Sequence, residues 1–175
     1  MRVGSIVGVV CAAAFVAAGC GTQSVDGQAG AEGVSAGDPA FSPCDDIPDE
    51  VVREVGVDPA TEERDIDGID QPGWNICSWS GPKPALAVFA TNYTLDDVRA
   101  KEGNVAFTPL DIPGRTGFAY RQKSDIAGRN CDVALESADG SVLVSTTYLG
   151  IDPITEDACV VATRRAHTLV EYIPE

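Results

Sequence analysis

The sequence predicts an α+β fold, an antiparallel sheet of about six strands with helices packed on one face, and three observations carry that expectation. Short runs of alternating apolar residues come in pairs separated by turn residues, as hairpins require. Helical stretches fall between hairpins rather than after every strand, which argues against a parallel sheet. Four cysteines fall in the folded part, enough for two disulfides. The expected order is α-ββ-α-ββ-ββ-α.

Pro48 to Val55 reads as the first helix, with Pro at its first turn, Asp49 and Glu50 near its positive end and Gly56 as its stop. Residues 57–73 read as a loop. Strands follow at about 74–80 and 85–93, joined by a Gly-Pro-Lys-Pro turn. Thr94 with Asp97 forms a capping-box pattern and opens a helix to about Glu102, before Gly103. Strands near 105–110 and 117–123 lie either side of Pro113-Gly114.

Residues 131–137 and 141–149 flank Asp139-Gly140, a strong two-residue hairpin signal. A loop at those two residues pairs Ala138 with Ser141, Leu135 with Val144 and Cys131 with Tyr148. Cys131, Val133, Leu135, Val142, Val144 and Tyr148 then share a core face, while Asp132, Glu136, Ser145 and Thr147 share a wet one. Residues 157–172 read as the last helix, with Cys159, Ala162, Ala166, Leu169, Val170 and Ile173 on one stripe. His167 lies beside that stripe, and Arg164-Arg165 reads as a solvated face.

Upstream of the domain, residues 3–19 carry no charge and follow Arg2, the pattern of an export signal. The stretch is shorter than the ~20 apolar residues of a membrane span. It ends in Ala17-Ala18-Gly19-Cys20, which resembles a bacterial lipobox, although Leu is usual where Ala17 stands. On this reading residues 1–19 are the signal, and Cys20 becomes the first residue and carries palmitate-type acyl chains. Residues 20–40 are a flexible Gly/Ala/Ser-rich tether, and 41–175 form one extracytoplasmic domain on the outer face of the cell membrane. The alternative, an ordinary secretory signal, leaves Cys20 as a free thiol without a use.

Cys11 leaves with the signal, so Cys44, Cys77, Cys131 and Cys159 remain. The hairpin returns the chain to the sheet end where Cys131 begins, and the last helix starts a few residues later. Cys159 in its first turn is thus delivered to Cys131, and by elimination Cys44 pairs with Cys77. Their spacing suits no metal site.

Phe41-Ser42-Pro43-Cys44, Cys77-Ser78-Trp79, the Pro113-Gly114 turn, Cys131 in a strand and Asp157-Ala158-Cys159 opening a C-terminal helix together form a distinctive set. In these features the chain resembles the actinobacterial lipoprotein family catalogued as domain of unknown function 3558. The resemblance implies an exported, lipid-anchored envelope protein with two disulfides. It implies no activity.

For function, 27 acidic against 12 basic side chains give a net charge of −15, which excludes nucleic-acid binding through the phosphate backbone. No nucleophile motif accompanies His167, and no cofactor motif is present. Glu63, Asp65, Asp67 and Gly68 imitate the start of a calcium loop, but Trp74 stands where its closing Glu belongs. Trp74, Trp79, Phe89 and Tyr93 are the aromatics best placed to form a ligand patch, since aromatic faces hold sugars and lipids. The preferred expectation is a non-enzymatic binding module whose partners are the membrane, through Cys20, and an envelope protein or small ligand. The alternative is a wall-glycan or lipid hydrolase using a carboxylate pair.

Overall fold

The computed structural model describes residues 37–82 and 84–175. The proposed signal, Cys20 and most of the tether lie outside the described residues. No helix among the described residues is long and apolar enough to cross a membrane.

Seven strands form one antiparallel sheet in the order β1-β2-β3-β7-β6-β5-β4. They are β1 (Glu63–Arg64), β2 (Trp74–Trp79), β3 (Ala85–Thr91), β4 (Asn104–Pro109), β5 (Gly117–Gln122), β6 (Asn130–Ser137) and β7 (Gly140–Thr147). The seventh strand beyond the six expected is β1, a two-residue pairing with Ser78 and Cys77 inside the segment read as a loop. Among the described residues four α-helices accompany the sheet: α1 (Pro43–Asp46), α2 (Asp49–Glu54), α3 (Leu95–Ala100) and α4 (Ala158–Leu169).

One face of the sheet carries the main core. Val51 and Val52 of α2 and Ala158, Ala162, Ala166 and Leu169 of α4 pack with Trp79, Leu86, Val88, Val133, Leu135, Val142 and Val144. The disulfides Cys44–Cys77 and Cys131–Cys159 staple α1 and α4 to this face, in the expected pairing, with Cα atoms 5.3 and 4.9 Å apart. Arg115, beside the Pro113-Gly114 turn, donates to the carbonyls of Val170, Ile173 and Pro174, so a cation closes the C-terminal end of the last helix.

The third helix, α3, lies instead on the opposite face. Val98 packs there with Phe118, Tyr120 and Ala134, against partly buried Leu95, Phe107 and Leu143. Arg99 reaches over the Phe118 ring at 3.9 Å and seals it. The face expected to be wet is therefore covered in part, and Asp132 and Ser145 are buried.

The β6–β7 hairpin turns at Ala138-Asp139, not at Asp139-Gly140. Ser137 pairs with Gly140, Leu135 with Val142 and Cys131 with Thr146. Gly140 is needed in the strand because a Cβ there would run into the backbone of Thr91 and Asn92 at the end of β3. The register differs from the expected one by two residues, and a two-residue slip keeps every side chain on its face. Cys131, Val133, Leu135, Val142 and Val144 are all buried in the main core as read.

Residues 37–40, read as tether, are tied to the domain. Asp139 accepts from the Ala40 amide at 3.0 Å, Asn75 donates to the Pro39 carbonyl at 2.8 Å and Asp38 accepts from the Gly73 amide at 3.0 Å.

Arg165 corrects the reading of a solvated arginine pair. It is 3% exposed, and its guanidinium donates to the carbonyls of Val55, Ala85 and Pro84 and to the Thr146 hydroxyl at 2.7–3.1 Å. It binds the end of α2, the start of β3 and β7 to α4, and burial pulls its pKa down to about 10. Arg164 does face solvent, in a bidentate pair with Glu156.

Candidate functional site

The most distinctive concavity lies between α3 and the sheet face beneath it. Alternation along β2 turns Trp74 and Ile76 toward this face, and the register sets Ile76 beside Phe89 and Phe89 beside Leu143. Tyr93 follows where β3 ends. Its carbonyl accepts from the Ser141 hydroxyl at 2.7 Å and its amide donates to the Thr91 hydroxyl at 3.3 Å.

The roof is α3, fixed by its ends. Thr94 and Asp97 complete the expected capping box, and hydrogen bonds from Thr94 hold the Asp97 carboxyl below its ordinary pKa. At the other end, the Asn104 side chain donates to the Val98 carbonyl at 2.8 Å. The groove so formed has a volume of about 530 Å³, within the range of small-molecule sites. Trp74, Tyr93, Lys101, Asn104, Tyr120 and Leu143 are among its lining residues.

Trp74 and Tyr93 form an aromatic corner, with ring centroids 5.6 Å apart and planes tilted by 43°. Phe89 buttresses Trp74 edge-on, at 6.4 Å and 87°. Trp79 does not join them. It lies in the main core on the other face, 1% exposed, because its position is an odd number of residues from Trp74.

Tyr120 and Asp132 are cross-strand partners on β5 and β6, and each is only 4% exposed. Burial pushes the Asp132 carboxyl upward in pKa, against hydrogen bonds from Ser145, Gln122 and Asn130 and the charge of Lys101. Burial, reinforced by Asp132, likewise raises the Tyr120 phenol above its usual range, so it stays protonated. No group among the described residues hydrogen-bonds the Tyr120 hydroxyl. Sequence reasoning missed this pair, because Asp132 was assigned to a wet face.

A second, shallower groove of about 660 Å³ runs along α4, lined by Leu110, Asp111, Val160, Arg164 and His167 among others. His167 is exposed, as expected. The acidic stretch at 63–68 forms a tight turn in which Asp65, Asp67 and Gly68 all take positive φ. Among the described residues, one cluster of possible metal ligands occurs, Cys44, Glu62 and Cys77, and its two cysteines are spent on a disulfide.

Fold and site together define a disulfide-stapled, antiparallel α+β domain with an aromatic groove beneath a short capped helix. The chain belongs to the family described as Protein of unknown function (DUF3558), whose model matches residues 15–172. No curated protein and no solved structure matches it.

Proposed function

We propose that the protein is a lipid-anchored, extracytoplasmic envelope protein that binds a ligand, without catalysis, in the groove beneath α3. The observation that carries this reading is the aromatic corner of Trp74 and Tyr93 in the same groove as Tyr120, whose ring is buried in the sheet face and whose hydroxyl no described residue hydrogen-bonds. Ligand sites of this kind join apolar walls to a few placed polar groups. The lipobox-like Ala17-Ala18-Gly19-Cys20 supports the anchor, and two disulfides favour an oxidising compartment. Asp132 is a buried carboxyl with a raised pKa, but its hydrogen-bonding neighbours are neutral side chains rather than a second acid.

Two measurements on the protein purified from membranes test the proposal. Mass spectrometry should find a diacylglyceryl-modified Cys20 at the mature N-terminus, and the protein should turn over neither wall glycan nor lipid ester. An unmodified Cys20 in membrane-bound protein contradicts the anchor. Turnover abolished by replacing one specific carboxylate contradicts the binding role and establishes a hydrolase.

A further inference from the structure

We infer that the groove beneath α3 takes an uncharged pyranose ring, free or as a unit of a glycan; this rests on the groove being the ligand site. Its lining sets four constraints on an occupant. An alkyl chain would cover the Tyr120 hydroxyl and shut it off from water without a partner, which is unfavourable for a polar group. An anion meets the net charge of −15 and, locally, Asp97 on the roof and Asp132 behind Tyr120. A cation meets Lys101, which lines the same wall. The fourth constraint is the aromatic corner itself, which needs an apolar face to cover.

A neutral sugar ring meets all four. Its axial C–H face lies against Trp74 or Tyr93, and its hydroxyl rim supplies the hydrogen-bond partner that the Tyr120 hydroxyl lacks. The Tyr120 phenol, kept protonated by burial, can donate to or accept from a sugar hydroxyl. Asn104 and Lys101 stand at the same groove to meet the remaining hydroxyls. Tyr93, 39% exposed, is the ring a ligand would cover first.

The chain has two tryptophans, and Trp79 is buried in the main core, so fluorescence changes on binding report Trp74. The full chain with Cys20→Ser is titrated with methyl glucoside, N-acetylglucosamine, their uncharged tetramers and glucuronate. Saturable change is expected with a neutral sugar and none with glucuronate. Tighter binding of a tetramer than of its monomer identifies a glycan chain as the source, and equal binding identifies a single ring. Tyr120→Phe, which keeps the packing, should weaken binding about threefold to tenfold, the worth of one neutral hydrogen bond. Tyr93→Ala, at an exposed position, should weaken it about tenfold or more. Absence of saturable change with every neutral sugar overturns the inference, as does unaltered affinity in both variants. A different envelope ligand bound at these same residues overturns the sugar class while leaving the groove as the ligand site.

Discussion

Asp132 shows how a single residue couples the site to stability. A carboxyl 4% exposed, whose pKa burial raises above the ordinary 3.8, binds its proton in the native state at a pH where the unfolded chain has already released it. Its contribution is therefore full below the ordinary carboxylate value and is lost as pH rises through the raised one. Asp132→Asn removes that titration but keeps an acceptor for Gln122. Urea unfolding of the two proteins at pH 4 and pH 7 should show the variant gaining on the native protein as pH rises. A difference that stays constant or shrinks contradicts the account. Arg165 is a second residue whose position and type pull in opposite directions. It lies on the same helical stripe as Ala158, Ala162, Ala166 and Leu169, so its burial was legible in the spacing. The residue type argued for solvent, and the helical period won because four acceptors satisfy the guanidinium.

At the scale of elements, α3 decides whether there is a site at all. It has six residues, too few to be stable alone, so its position depends on its capping box and on Val98 against Phe118 and Tyr120. Thr94→Ala removes the cap and should cost about 1 kcal/mol in urea unfolding. It should also weaken binding in the groove, because Val98 and Lys101 lose their fixed place. An unchanged affinity at reduced stability would show that the groove does not depend on its roof. The elements themselves were largely legible. Helix and strand positions followed from capping, alternation and turn residues; the Cys131–Cys159 disulfide followed from the sheet end both cysteines reach, and Cys44–Cys77 by elimination. The hairpin register lies two residues away from that of the expected Asp139-Gly140 loop because Gly140 serves the close approach to β3 rather than the turn. The side of the sheet taken by α3 was also recoverable. Phe118 and Tyr120 alternate with Ala119 on β5 and need a cover of their own.

For the whole molecule, the distribution of charge can be set beside the position of the groove. The acidity is concentrated before residue 71, while the groove is built almost entirely from residues 74–143. On the proposed function, long-range repulsion disfavours anionic polymers, and recognition falls to a patch that does not rely on charge. That Trp74 and not Trp79 reaches the groove could have been placed from sequence alone, because parity separates the two. Tyr120 with Asp132 behind it depends on β5 and β6 being neighbours, which pairing alone reveals. On the proposed function, this groove is where the protein meets its ligand. The most direct test is nuclear magnetic resonance of the isotope-labelled full chain with Cys20→Ser, titrated with a delipidated envelope extract. On this placement of the ligand site, shifts concentrated at the Trp74 indole, Tyr93, Asn104, Tyr120 and Leu143 are expected. Shifts concentrated instead along α4, at Val160 and His167, or no shifts at all, would contradict it.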